Sequence, residues 1–189
     1  YLLTRQGNVT TNSLAAVQKR LQDAYPNDWK SDLAAAWLAA SYQLLKQDKE
    51  AAALIAGPQA LLERKRASDG GYATGYYIDP LTRDASVLYL LAKHFPDRVR
   101  KLSPRAMDNI AAPLVDNRYN TLSSAMTILA LDAYAASNAG QLDKLAIDEV
   151  RTGGAPKDVS SIQANLVRTG TWAGGASRVD FVNGSSLPA

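Results

Sequence analysis

The sequence predicts a mainly α-helical chain of repeated helical hairpins that passes, near residue 140, into a small β segment. Two observations carry this. Three stretches look alike: 32–46 (DLAAAWLAASYQLLK), 84–95 (DASVLYLLAKHF) and 124–135 (SAMTILALDAYA). Each opens on a polar, cap-like residue, sets alanines beside large aliphatic and aromatic side chains, and is apolar on nearly every side. A helix apolar all round is expected to be buried all round. With Asp32, Asp84 and Ser124 as equivalent starts, the spacings are 52 and 40 residues. That leaves room for an inner helix, a connection and an outer helix per unit, the pattern of a hairpin array, open or closed into a toroid. After Gly140 the period changes. Leu145 and Ile147, Ile162, Ala164 and Leu166, then Val179 and Phe181 alternate with their neighbours, and period two between Gly- and Ser-rich breaks means strands. The expected division is 1–140 helical and 141–189 a partial β module of three strands, which can form a sheet but one so small that it usually needs more partners.

Taken in order, Thr11, Asn12 and Ser13 offer N-caps for a helix to about Ala24, with Leu14, Val17 and Leu21 on one face. Residues 25–28 (YPND) break it. Ser31 or Asp32 caps the first buried helix, which reaches about Gln47. A shorter amphipathic helix follows over 49–56, Gly57-Pro58 ends it, and 59–66 forms another short piece. Residues 69–80 (DGGYATGYYIDP) are punctuated by three glycines and a proline and cannot be helical. Helix resumes at Leu81 or Thr82, runs to His94 and stops at Pro96. Pro104 starts a helix that Pro113 stops. Asn120 or Thr121 caps the third buried helix, to Ser137, and Asn138-Ala139-Gly140 supplies a C-cap with left-handed formers.

At 189 residues the chain suffices for one solid core, or a core plus a small module. Lys and Arg number 21 against 18 Asp and Glu, a formal charge of +3 without a basic segment, so nothing points to nucleic acid. The densest cluster, Arg64-Lys65-Arg66, follows Leu61-Leu62 where cations offset the dipole of a helix end. The absence of cysteine excludes disulfides, thiolate metal sites and a cysteine nucleophile within the chain. No apolar run reaches a membrane span, since Ser41, Tyr42 and Gln43 interrupt the best candidate. Tyr1-Leu2-Leu3 and Leu187-Pro188-Ala189 both read as cuts through a longer polypeptide, with targeting signals expected outside it.

Candidate chemistry is thin. His94, the only histidine, ends a helix beside Phe95 without the partners of a triad or a zinc site. Asp69, Asp79 and Asp84 surround the aromatic-glycine loop. A toroid glycosidase would place paired carboxylates and stacking aromatics there, whereas Asp79 and Asp84 as helix caps, with tyrosines filling the end of the barrel, explain the same residues more simply. No DDxxD run or phosphate-cradling Gly loop is present. Asn8-Val9-Thr10 and Asn183-Gly184-Ser185 match a glycosylation sequon, a pattern short enough to arise by chance. Trp172 sits between two strands, as an exposed recognition tip or folded back over its sheet. No catalytic, cofactor-binding or metal residue is assigned.

Asp69-Gly70-Gly71-Tyr72, followed by the helix of residues 84–91 (DASVLYLL), resembles the repeat of α/α toroids, shared by terpenoid cyclases, protein prenyltransferases and the thioester domains of complement and alpha-2-macroglobulin. Together with 1–7 (YLLTRQG), 32–42 (DLAAAWLAASY), 119–134 (YNTLSSAMTILALDAY) and the downstream β segment, the chain resembles the bacterial alpha-2-macroglobulin family over essentially its whole length. The match is to the latter part of the thioester domain running into the β domain that holds it, which puts 141–189 at a CUB-like position. The family's Cys-x-Glu-Gln motif is absent, so no thioester residue carries over. The resemblance implies a non-enzymatic segment of a periplasmic proteinase trap, usually a lipoprotein: a bait region is cleaved, the body rearranges and the proteinase is confined. The expected partners are trapped proteinases and other domains of the same polypeptide, with membrane contact only through a lipid anchor outside this chain and no cofactor. The competing readings are an α/α-toroid carbohydrate-active enzyme using Asp79 or Asp84, and a helical-repeat binding scaffold. Trp37-Leu38 and Tyr42 echo the latter, but spacings of 52 and 40 do not fit its fixed period of about 34.

Overall fold

The structure is a computed structural model that describes residues 1–65, 79–138, 145–164, 167–171 and 174–184. It is mainly helical with a small β segment at the C-terminal end. The helices are α1 (Leu2–Arg5), α2 (Thr11–Ala24), α3 (Leu33–Leu44), α4 (Asp48–Leu62), α5 (Pro80–His94), α6 (Pro96–Val99), α7 (Pro104–Val115) and α8 (Thr121–Ser137), with a 3-10 turn at Trp29–Ser31. The strands are β1 (Leu145–Val150), β2 (Lys157–Asp158), β3 (Ser160–Ala164), β4 (Val167–Gly170) and β5 (Arg178–Asn183).

The three alanine-rich helices pack in chain order, with α5 in the middle between α3 and α8. Each begins at a side-chain cap. Asp32 accepts from the Ala34 N–H at 2.8 Å and Asp79 from the Thr82 N–H at 2.6 Å. Asn120 and Ser123 form a reciprocal capping box. The equivalent starts are therefore Asp32, Asp79 and Asn120, spaced 47 and 41 residues, a more even repeat than starts at Asp84 and Ser124 give. Pro80 at the first position of α5 is preset for a helix, and Phe95-Pro96 ends it. Buried hydroxyls on these helices turn back on their own backbone: Ser41, Ser86 and Thr127 donate to the carbonyls of Trp37, Thr82 and Ser123. The contiguous core runs from Leu14 to Tyr134 and is drawn from the helical part alone.

Several expectations change. Gly57-Pro58 and Pro113 do not end helices; α4 and α7 run through them with both prolines buried. An interior proline forfeits one backbone bond and costs about 3 kcal/mol, and burial of these helices outweighs it. Gly57 serves a close crossing instead, because a β-carbon there would collide with the Lys30 carbonyl. The α3 helix stops at Leu44, short of Gln47, and Lys46 takes a left-handed φ of 61° to turn the chain into α4. The N-cap of α2 is Thr10, whose hydroxyl bonds that of Thr4 at 2.7 Å, and Val17 faces solvent while Leu14 is buried. Trp37 is only half-buried, against the Tyr1 ring at 4.9 Å. Trp29, in the break after α2, is the buried tryptophan at 3 % exposure, with its indole N–H on the Gln22 side-chain oxygen at 2.9 Å. α8 is not covered all round, since Leu122, Ile128 and Leu129 are exposed. Of the expected C-cap, Asn138 is right-handed in φ at −117°, and Ala139 and Gly140 lie outside the described residues.

The β segment holds five short strands among the described residues rather than three. β2, β1 and β5 form one antiparallel sheet, with Ile147 opposite Phe181 and Asp148 opposite both Asp158 and Asp180. β3 and β4 form an antiparallel pair with Ala164 opposite Val167, and Leu166, read as continuing the strand from Ile162, lies outside the described residues. Val159 passes the chain from β2 into β3 and donates its N–H to the Ile147 carbonyl at 2.9 Å. The β3–β4 pair approaches β1 closely: a β-carbon at Gly170 would lie 3.3 Å from the Ile147 side chain, which is buried.

Candidate functional site

Asp79 is a structural joint. One carboxylate oxygen caps α5, and the other accepts from the Asn120 side-chain amide at 3.0 Å, so the caps of α5 and α8 are tied together. Asp84 is not a cap. It lies one turn into α5 at 1 % exposure, with both Arg83 Nε and a terminal Arg83 nitrogen 3.0 Å from its Oδ1. Burial, then Arg64, lowers the pKa of Arg83, and Asp32 acts in the opposite sense. An arginine guanidinium remains charged in a protein, and it faces the buried Asp84 carboxyl. Glycoside hydrolysis needs two carboxyl groups facing one cleft with room for substrate. Here one is committed to a cap joint and the other is sealed in the core. Asp69 and the aromatic-glycine loop through Ile78 lie outside the described residues, as do Arg66 and Trp172.

His94 belongs to an aromatic corner at the end of α5. Its Nε2 lies 2.8 Å from the Tyr1 hydroxyl, the two rings meet edge to face at 5.4 Å, and Tyr1 packs in turn on Trp37. Burial, then the charges of Arg5 and Lys93, lower the His94 pKa from 6.5 to about 4, so the ring is neutral at pH 7. Burial, then Tyr89, raises the Tyr1 pKa, so its hydroxyl stays protonated, and which of the Tyr1 hydroxyl and His94 Nε2 donates follows from the tautomer of the ring. The corner fastens α1 and α3 to α5 and offers no hydroxyl nucleophile backed by a base and a carboxylate.

A groove of about 380 Å³ lies between the end of α2, the 3-10 turn and the start of α5, apolar on Tyr25, Trp29 and Leu61 and polar on Asp28, Asp32 and Arg83. Its main charges are already in use, Asp32 as the α3 cap and Arg83 on Asp84. Among the described residues no three or more His, Asp or Glu side chains gather where they could hold a metal ion, and no helix is long and apolar enough to cross a membrane. Arg64 and Lys65 are exposed just past the end of α4. The Asn8 side chain donates to the Leu3 carbonyl at 3.0 Å.

The polar residues that organise the molecule are ones sequence reasoning passed over. Asn109 on α7 donates to the carbonyls of Leu62 and Arg64 at 2.6 and 3.0 Å, satisfying the open end of α4. Glu63 accepts the Ser103 N–H at the start of α7 at 2.7 Å. Arg98 reaches Gln59 and the Ala52 carbonyl. These partners stand 39 to 47 residues apart, so no local motif announces them.

No family model matches the chain, and no solved structure matches it. Curated proteins do. The chain is 42 % identical over 193 aligned residues to a protein of Yersinia pestis described as an alpha-2-macroglobulin homolog. It is 38 % identical over 190 to an alpha-2-macroglobulin of Pasteurella multocida. Both alignments take in all of this chain and 10 % of the relative. An alpha-2-macroglobulin of Rickettsia conorii is 37 % identical over 136 residues, 71 % of this chain and 7 % of that protein. The chain thus spans about a tenth of the length of the relatives it matches.

Proposed function

The chain belongs to the bacterial alpha-2-macroglobulin family, and on that premise we propose that it is a non-enzymatic scaffold segment of a broad-spectrum proteinase inhibitor that works by bait and trap. The observation that carries the reading is the alignment of the whole chain with two such relatives at 42 and 38 % identity. The use of Asp79 and Asp84 as cap and buried ion pair fits it, and weighs against the carbohydrate-active alternative.

In this reading α3, α5 and α8 are inner helices of an α/α toroid, and 141–189 begins the β module that holds it. Cleavage of a bait elsewhere in the polypeptide lets the body close around the attacking proteinase. The chain contains no cysteine, so any covalent capture through a thioester is the work of residues outside it, and this segment shields that bond and moves as a unit. The polypeptide resides in the periplasm on a lipid anchor outside these residues.

The test is an inhibition assay on the full-length polypeptide with trypsin-like and elastase-like proteinases. A confined proteinase keeps its active site but loses large substrates. Cleavage of a protein substrate is expected to fall while cleavage of a small chromogenic peptide persists, and the 189-residue chain alone inhibits neither. Stoichiometric inhibition by this chain alone, or glycosidase turnover abolished in Asp79→Asn, would overturn the proposal, as would a full-length polypeptide that leaves protein cleavage untouched.

A further inference from the structure

The groove between α2, the 3-10 turn and α5 sets charges of both signs around an apolar lining. Trp29 is buried and Leu21 and Leu61 are half-buried, so much of that lining is already withdrawn from bulk water, and Tyr25 adds a ring that is 61 % exposed. The Trp29 ring is held by its bond to Gln22, so a ligand resting on it need not order it. A charge used for a cap or an ion pair remains a charge. Asp32 gives one oxygen, Oδ1, to the α3 cap. Asp28, at the other end of the turn, accepts through its backbone carbonyl, and among the described residues its carboxylate is in no hydrogen bond or ion pair. On the α5 side Arg83 meets Asp84 through Nε and one terminal nitrogen, and its other terminal nitrogen makes no hydrogen bond among the described residues. The opposite charge of Asp32 reaches Arg83, which places the two signs close together.

We propose that this groove binds a free α-amino acid with a large apolar side chain. Its ammonium sits at Asp28 and Asp32, its carboxylate at the open Arg83 nitrogen, and its side chain against Tyr25, Trp29 and Leu61. The choice follows from the charges. An amine without a carboxylate would bring a second cation to Arg83, and a carboxylate without an amine would face two aspartates; a zwitterion satisfies both ends at once. The apolar lining favours an aromatic or branched aliphatic side chain, which gains more the larger the area it hides from water. The volume, about 380 Å³, lies near the lower end of the roughly 300–1,000 Å³ of small-ligand sites, which suits a single small molecule. A polypeptide segment is a poorer match, because between its ends it carries neither terminal charge. The proposal stands on the groove alone and does not depend on proteinase trapping.

The test titrates L-phenylalanine into the isotope-labelled chain while the Trp29 indole N–H is followed by NMR. A saturable shift of that signal is expected, with a dissociation constant of about 1 mM or below and no shift at Trp37. Phenethylamine lacks the carboxylate and phenylpropionate lacks the ammonium; each is expected to bind at least about tenfold more weakly, the loss of one charged contact. Absence of a saturable shift up to about 10 mM overturns the proposal. Phenethylamine binding as tightly as phenylalanine makes the groove a cation site, phenylpropionate binding as tightly makes it an anion site, and either result overturns the proposal. Asp28→Asn gives an independent reading. Asp28 is exposed and its side chain caps nothing, so the melting temperature is expected to hold. Phenylalanine affinity is expected to fall about tenfold in this variant while phenylpropionate affinity does not fall. An unchanged phenylalanine affinity, or an equal fall for both ligands, contradicts the placement of the ammonium. Arg83 is left in place because its removal would disturb the buried Asp84, and the amine comparison on the wild type tests its part.

Discussion

Helices α5 and α8 lie side by side and are written in the same vocabulary of Ala, Leu, Ser and one Tyr, yet ten of fifteen residues are buried in α5 and six of seventeen in α8. The difference is one of neighbours. α5 is enclosed by α3, α4, α6, α7 and α8, whereas α8 rests on α5 with a lighter contact to α6. All-round apolarity therefore does not by itself distinguish an enclosed helix from one with an open face.

The largest expected effect separates the two helices directly. Leu88→Ala removes a fully buried side chain from the middle of α5 and is expected to cost about 2–5 kcal/mol, while Ile128→Ala on the open face of α8 stays within about 0.5 kcal/mol. Urea melts of both variants check this, and comparable losses would erase the contrast. Next comes the joint between the helices. Asn120→Ala removes the capping box of α8 and the bond to Asp79 together, for an expected loss of about 0.5–2 kcal/mol, read from the same melts.

A smaller effect of opposite sign is expected at the far end of α8. Among the described residues the buried Tyr134 hydroxyl has no hydrogen-bond partner, and burial raises its pKa. Tyr134→Phe sheds that desolvation cost and is expected to raise stability by about 1 kcal/mol; a loss of similar size would reveal a partner for the hydroxyl.

The smallest effect belongs to α5 and is one of pH. The folded-state pKa of His94, about 4, lies below its unfolded value of 6.5, so the unfolded chain takes up the proton first. The contribution of neutral His94 is complete above pH 6.5 and is lost as pH falls towards 4. Because the ring is only half-buried, solvent screening reduces the effect. Melting temperatures of wild type and His94→Gln between pH 7 and 4 should differ in slope, the wild type falling faster; parallel curves would place a charged His94 in the folded state.

Much of the helical part was legible because its signals are local. Asp32 and Asn120 are cap residues directly before apolar runs, Phe95-Pro96 punctuates the end of α5, and the period changes where the β segment begins. The errors share a physical origin in tertiary contacts. Pro58 and Pro113 look like helix breakers until the buried faces of α4 and α7 are set against one missing backbone bond each. Asp84 looks like a cap until it is seen buried one turn into α5 against the partly exposed Arg83. Trp29, between the break at 25–28 and the cap at Asp32, carries no local signal of burial, although its ring is buried in the core. The expectation of no assigned site left Asp79 and Asp84 open between cap and catalyst. The bond from Asn120 to Asp79, 41 residues away, is what gives Asp79 its place, and no sequence motif encodes it.

Native-state hydrogen exchange on the 189-residue chain tests the central contrast most directly, since it measures how much structure must open to release each amide. The account predicts that α5 exchanges only through global unfolding, that α8 exchanges through a cheaper opening, and that β1 and β5, in a small sheet outside the contiguous core, exchange fastest. That order would also place a boundary near residue 140, as proposed for the divide between 1–140 and 141–189. Uniform protection across α5, α8 and the strands would contradict it: α8 would then be as fully held as α5, and the β segment would be an integral part of the same cooperative unit.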